Sequence, residues 1–81
     1  MEEITYIVHI EPTQEGGYVA FFPELPGCQT QGDTLPHVLE MAHDALKGYV
    51  ESLWELGQPV PRPKPEHRHV GFDLPVSALV R

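Results

Sequence analysis

The run of residues 16–34 restricts the fold of this chain more than any other segment, because glycines and prolines recur in it at short intervals. A glycine pair opens the run and permits the positive φ angles that tight turns need. Pro23 and Pro26 lack the backbone N–H that a strand uses in its ladder. Thr34 has a hydroxyl of the kind that caps helix N-termini. The run therefore predicts a strand, a turn, a short strand and the start of a helix.

Alternation of apolar and mixed residues predicts three strands before that helix. Residues 4–10 place one apolar set on one face (Ile4, Tyr6, Val8, Ile10) and a mixed set on the other (Thr5, Ile7, His9), as expected of a half-buried strand. A polar turn joins this strand to a second one at 18–22, which predicts an antiparallel hairpin. Residues 28–31 are predicted to form a third strand that is weakly hydrophobic and lies near an edge of the sheet.

The strongest periodic signal follows Thr34. Apolar residues recur there at spacings of three and four: Leu35, Val38, Leu39, Ala42, Ala45, Leu46, Tyr49, Val50, Leu53 and Trp54. This stripe predicts an amphipathic helix over 35–56, with Thr34 as its N-cap and Gly57 at its end. Its outer face is largely acidic, and Gly48 within it suggests close packing against the sheet.

The last third of the chain predicts an extended crossover and one more strand. Prolines alternate with other residues over 59–65, and alternating residues over 70–74 indicate a strand that Pro75 closes, leaving 76–81 as a tail. The expected fold is α+β, in the order β-β-β-α-β: a small, mainly antiparallel sheet with one long helix packed on one face. We expect a single domain over residues 1–81.

Charge and cysteine content limit the function classes. The 81 residues include 12 acids and 5 Lys or Arg, a formal charge of −7, which argues against direct DNA or RNA binding. Such acidity suits a basic protein partner, although it also serves simply to keep a small domain soluble. One cysteine cannot form an internal disulfide, and no leader or apolar run near 18 residues is present. We therefore expect a cytoplasmic protein without membrane association.

Taken together, these motifs resemble the HicB antitoxin family. The match includes Tyr6, the Gly-Gly-Tyr opening at 16–18, the string Pro-x-Leu-Pro-Gly-Cys-x-x-x-Gly-Asp-Thr-Leu at 23–35, the long helix and its exit at 57–63. The resemblance implies a partial ribonuclease-H-like fold. It also implies a partner: a small toxin of the HicA type, a messenger-RNA-cleaving ribonuclease with a double-stranded-RNA-binding-like fold, whose active site the antitoxin covers.

The chain departs from the family pattern at two places. Many members carry a C-terminal DNA-binding domain, whereas six residues follow Pro75, too few for one, so we expect no direct contact with DNA. Pro36 and His37 stand where acidic residues are expected. Matching residues such as Pro26, Gly27 and Gly32 have an architectural character, so the resemblance assigns no partner-binding residue.

Several side chains invite a chemical interpretation. Cys28 has no local base to activate it, which favours a packed thiol over a nucleophile. His67 and His69 would share one side of a strand, yet no third metal ligand is evident, and a solvent-facing pair is the preferred interpretation. His37 and His43 are six apart on the helix and share no face. We therefore expect no metal and no cofactor.

A ribonuclease-H-like fold raises the possibility of nuclease activity, which needs several converging carboxylates. The candidate carboxylates are Asp73 and either Glu40 or Asp44, but the middle of the first strand offers no carboxylate to complete a metal site. We therefore expect no enzyme activity and no catalytic residue.

Association is the remaining mode of action. The aromatic end of the helix (Tyr49, Trp54, Leu56) is either ordinary core or a subunit contact, and open sheet edges offer a second route to a homodimer or higher homo-oligomer. The sequence thus predicts an antitoxin that occludes a toxin. The alternatives are an oligomeric interaction module without a toxin and a metal-dependent nuclease.

Overall fold

The computed structural model describes residues 2–62 and 72–80, which form four strands and one helix. These elements are β1 (Glu2–Pro12), β2 (Tyr18–Phe21), β3 (Gln29–Gly32), α1 (Leu35–Glu55) and β4 (Phe72–Val80). The sheet has the order β3-β2-β1-β4, and each of its pairings is antiparallel. The predicted β-β-β-α-β order and α+β class are confirmed.

A tight turn joins β1 to β2 and sets their register. Pro12 lies opposite Tyr18, and the pairing continues to His9 opposite Phe21. The backbone N–H of Thr13 donates to the carbonyl of Gly17 over 2.8 Å. Gly16 has a φ of 97°, which explains why a glycine stands at this point of the turn. The predicted antiparallel hairpin is confirmed, with β1 longer at both ends than expected.

The predicted end of the last strand at Pro75 is wrong. β4 continues through Pro75, which lies opposite Ile7, so part of the expected tail is strand. The reason is the place of β4 in the sheet: it pairs with β1 on one side, and no described strand pairs with the other. A proline is tolerated in such an edge strand when its nitrogen faces away from the neighbour. The start of the predicted strand and most of the predicted crossover lie outside the described residues.

α1 begins and ends at the predicted signals. The backbone N–H of His37 donates to Oγ1 of Thr34 over 3.2 Å, the expected N-cap bond, and Pro36 lies in the first turn. The helix ends at Glu55, one residue earlier than predicted. Gly57 follows with a φ of 69° and donates to the carbonyl of Trp54 over 3.0 Å.

The core lies between α1 and one face of the sheet. Its buried apolar residues come from β1, β2, the loop before β3, α1 and β4: Ile4, Tyr6, Val8, Ile10, Ala20, Phe22, Leu25, Cys28, Val38, Ala42, Leu46, Val50 and Val76. Gly32 allows the helix to approach, because a Cβ there would lie 2.7 Å from the backbone nitrogen of Val38. Gly48 has no such role: it is exposed, and a Cβ there would meet nothing within 4 Å. The expected packing of Gly48 against the sheet is therefore wrong.

Candidate protein-interaction surface

The outer side of α1 carries the largest group of charges in the described residues. Its acidic members, which we call the acidic face, are Glu40, Asp44, Glu51 and Glu55. All four are exposed, as is Lys47 among them. The apolar stripe on the opposite side of α1 packs on the sheet, so these carboxylates point away from the core. They form a negative surface that would attract a positively charged partner.

A groove of about 360 Å³ runs between α1 and β4, and we call it the α1–β4 groove. It is lined by Glu3, His43, Lys47, Glu51, Trp54, Ser77, Ala78 and Leu79. Trp54 is half-buried against the core, while 56% of Leu79 is exposed. The groove thus offers apolar surface beside charged groups, and Glu51 also belongs to the acidic face. That combination is typical of protein-binding surfaces.

A second groove, of about 390 Å³, lies between α1 and the turn before β3. Leu56 contributes to it with 70% of its surface exposed, and Tyr49 lies beside it. The Tyr49 hydroxyl donates to the carbonyl of Pro26 over 3.0 Å, which ties the turn to the helix. Trp54 lines the first groove and not this one. The three aromatic and apolar residues predicted as one subunit contact therefore lie on two separate surfaces.

Cys28 is a packed thiol with an architectural position. Only 4% of it is exposed, and burial raises the pKa of its thiol to about 11. Its backbone N–H donates to the carbonyl of Leu25, and its carbonyl accepts from Phe22. At neutral pH the thiol is protonated, which makes it a poor nucleophile.

The three histidines in the described part of the chain lie apart from one another. His37 lies at the start of α1, where its Nδ1 accepts a hydrogen bond of 3.2 Å from the backbone of Asp33. His43 lines the α1–β4 groove. The predicted pair at 67 and 69 lies outside the described residues. His9, which sequence reasoning placed on the second face of β1 without a role, is almost fully buried there.

The surroundings of His9 are polar on one side and aromatic on the other. Its Nε2 lies 3.0 Å from Oε1 of Glu11, and its ring meets Phe21 edge-on with the ring centroids 4.9 Å apart. The sheet face opposite α1 is thus partly apolar at this point. Period-two alternation gave the face of His9 correctly, but no local signal in the sequence indicated its burial.

In the described part of the structure, the carboxylates considered for nuclease chemistry do not converge on one site. Glu40 and Asp44 are exposed on the acidic face. Asp73 lies in β4 opposite His9, and its side chain is outside the described part of the structure. Within 2–62 and the described part of β4, no three His, Cys, Asp or Glu side chains are grouped to hold a metal ion. No helix in these ranges combines the length and apolar character needed to cross a membrane.

Comparison with known proteins gives a consistent family assignment. A family model described as "HicB_like antitoxin of bacterial toxin-antitoxin system" matches residues 6–71. Antitoxin HicB 1 of Photorhabdus laumondii is 40% identical over 77 residues, which are 95% of this chain and 49% of that protein. Antitoxin HicB of Escherichia coli K12 is 36% identical over 73 residues, 89% of this chain and 53% of its own length.

The relatives differ in length. This chain spans about half the length of those two HicB antitoxins. A UPF0150 protein of Synechocystis is 44% identical over 57 residues, and there the match covers 70% of this chain and 72% of the relative.

Two solved structures share the fold. The N-terminal domain of Burkholderia pseudomallei antitoxin HicB gives a TM-score of 0.69 at 20% identity, over 96% of this chain and 99% of that one. A chain of the HicA3 and HicB3 toxin-antitoxin complex gives 0.68 at 24% identity, with the same coverage. At these identities the likeness concerns the arrangement of strands and helix.

Proposed function

The chain belongs to the family of HicB-like antitoxins of bacterial toxin–antitoxin systems, and from that membership we propose that it binds a small, basic, HicA-type toxin and keeps messenger RNA out of the toxin's active site. The observation that carries this proposal is the match of the family model to residues 6–71. The acidic face supports it, because a ribonuclease must present a positive surface to its RNA.

The mechanism we propose is occlusion. Carboxylates of the acidic face take the place of RNA phosphates on the toxin's basic surface, and the body of the antitoxin fills the space that RNA would use. Charged groups of this kind speed up encounter, whereas apolar contacts at the centre of an interface hold the complex. The α1–β4 groove supplies apolar surface next to Glu51, which makes it the most suitable centre.

In this proposal the chain acts as one HicB-like unit over 1–81, in the cytoplasm, without catalysis, metal or cofactor. The protonated thiol of Cys28 and the exposed positions of Glu40 and Asp44 support a non-enzymatic role. Direct DNA or RNA binding is not part of the proposal, since the formal charge is −7.

Co-expression with the neighbouring gene product tests the proposed function. If a short Lys/Arg-rich protein is encoded beside this one, we expect it to stop growth alone and to be harmless and co-purify with this chain when both are made. Its cleavage of a messenger RNA should fall in proportion to added antitoxin. An acidic protein of similar size and charge serves as the control for non-specific masking.

Two outcomes would contradict the proposal. Persistence of toxicity and failure to co-purify would favour the interaction module without a toxin. Cleavage of RNA by this chain alone with Mg²⁺ or Mn²⁺, lost in Asp73→Asn, would favour a nuclease.

A further inference from the structure

β4 leaves one long side open within the described part of the chain. It has nine residues and pairs with β1 alone among the described strands. An edge strand of this length is a template for another extended chain unless something covers it. The other edge, β3, has four residues and exposes two glutamine side chains, Gln29 and Gln31, so it offers a shorter and more polar template.

The direction of the backbone groups of β4 follows from two observations. Pro75 fits an edge strand only if its nitrogen faces away from β1, and backbone direction alternates along a strand. Ser77 and Leu79 therefore also turn their N–H and C=O groups outward. The side-chain oxygens of Thr5 and Ser77 lie 2.8 Å apart, as expected of a close, non-hydrogen-bonded pair across two antiparallel strands.

The α1–β4 groove lies directly beside this outward-facing segment. An extended chain paired with Ser77 and Leu79 would point alternate side chains toward α1, where Trp54 and Ala78 offer apolar contact. Glu3 and Glu51 line the same groove together with Lys47, so its two carboxylates outnumber its one ammonium group. The groove therefore accommodates one apolar and one basic side chain from the added strand.

Charge decides between the possible occupants. A second copy of this chain would bring another charge of −7 to the same edge, which is unfavourable. A basic protein has the complementary charge, and this inference rests on the proposed function for its partner.

We propose that the C-terminal half of β4 and the α1–β4 groove bind an extended, basic segment of the toxin by strand addition. Backbone hydrogen bonds to Ser77 and Leu79 give affinity, and the groove selects a segment with an apolar and a basic side chain.

Ser77→Pro and Ser77→Ala form the matched pair that tests this. Both remove the hydroxyl bond to Thr5, but only the proline removes the outward N–H, and Pro75 shows that this edge accepts a proline. The probe is the short basic protein encoded beside this gene, and its affinity is measured for variants of the 81-residue chain. We expect Ser77→Pro to weaken binding about tenfold or more relative to Ser77→Ala, through the loss of backbone bonding at the centre of the interface.

Each result has one meaning. Equal affinity of the two variants, with wild-type binding intact, overturns strand addition and leaves the antitoxin function standing. No binding by the wild type overturns both proposals. If the wild type self-associates and Ser77→Pro abolishes this, the edge of β4 binds a second copy of this chain. That result would overturn the proposal that the toxin occupies it.

A second pair keeps the test valid if circular dichroism shows that Ser77→Pro does not fold. Leu79→Lys and Gln29→Lys each add one positive charge at an exposed position, on opposite edges of the sheet. We expect only Leu79→Lys to weaken binding strongly. Equal effects would overturn the assignment to β4.

Discussion

The phenol of Tyr6 donates a hydrogen bond of 2.7 Å to the backbone carbonyl of Pro61. Tyr6 is fully buried on β1, whereas Pro61 lies beyond the end of α1, 55 positions later. The bond therefore fixes the start of the connection to β4 against the sheet. Burial raises the pKa of the Tyr6 phenol, which keeps it a donor throughout the neutral range.

Tyr6→Phe is expected to lower the free energy of unfolding by about 0.5–1.5 kcal/mol, because it removes this bond and leaves the ring in place. Tyr49→Phe is the matched control, since its bond to Pro26 lies at the surface. We expect its cost to stay below about 0.5 kcal/mol, because water replaces an exposed bond readily. Urea unfolding of both variants measures the difference. Equal losses of unfolding free energy in the two variants would show that the buried bond of Tyr6 stabilises the fold no more than the exposed bond of Tyr49.

Gly32 and Gly48 should respond in opposite ways to alanine. At Gly32 a Cβ would lie 2.8 Å from the Cα of Val38, an atom of the backbone that cannot move without shifting α1. We expect Gly32→Ala to cost about 1–3 kcal/mol through overpacking. Gly48 is exposed in the middle of the helix, and Gly48→Ala should stabilise the protein by up to about 1 kcal/mol. Thermal unfolding of the two variants checks both signs.

Partner binding provides a further check on the Gly48 variant. If Gly48→Ala raises the melting temperature but weakens binding of the toxin, the glycine is needed for contact with the toxin and not for the stability of the fold. Unchanged stability of Gly32→Ala would show that α1 and β3 are less tightly packed than the distances indicate.

Local signals predicted most of the fold. The apolar stripe of α1, its N-cap at Thr34 and the glycine-containing turn before β2 are each determined by neighbours within a few residues, so sequence reasoning located them to within about one position of their bounds. The end of the last strand was predicted wrongly at Pro75, because whether a proline ends a strand depends on the strand's place in the sheet. That place is set by pairing with Ile7, which is 68 positions away in the chain (75 − 7).

The candidate surface was less accessible to such reasoning. The acidic face was predicted, since its members share one side of a periodic helix. The α1–β4 groove was not, because it joins Trp54 of the helix to Leu79 of a strand that the pattern had classified as a tail. No signal within either segment indicates that the two approach each other.

Cys28 should be unreactive in the folded protein. Its thiol has a pKa of about 11 instead of the ordinary value of 9.0, so the thiolate fraction at pH 8 is reduced by about 100-fold. We expect alkylation by iodoacetamide to be slower by at least about this factor in buffer than in denaturing urea. Rapid alkylation of the native protein would show that the thiol is accessible and would reopen its chemical role.

The same shift predicts a loss of stability in alkali. The unfolded thiol ionises near its ordinary pKa, whereas the folded one remains protonated up to about pH 11. A raised folded pKa contributes stability in full below the unfolded value, and this contribution disappears as the pH rises from about 9 to about 11. Cys28→Ala is the control, because the difference in unfolding free energy between it and the wild type isolates the contribution of the thiol.

The acidic face should control how fast the toxin binds. Neutralising it in the double variant Glu40→Gln/Asp44→Asn is expected to lower the association rate several-fold at low ionic strength, because the attractive field of the antitoxin is weakened. The difference should nearly vanish at about 500 mM NaCl, where salt screens charges beyond a few ångströms. Stopped-flow mixing with the basic partner at several salt concentrations measures both effects.

Glu15→Gln/Asp33→Asn is the matched control for that variant. Both residues are exposed, and they lie together around a depression between the β1–β2 turn and the start of α1. The control changes the net charge by the same amount, so it separates the position of the charges from their number. If the two double variants slow association equally, net charge alone steers the toxin and the acidic face has no privileged part in its docking. A larger effect of the control would place the toxin at the start of the helix, away from the α1–β4 groove.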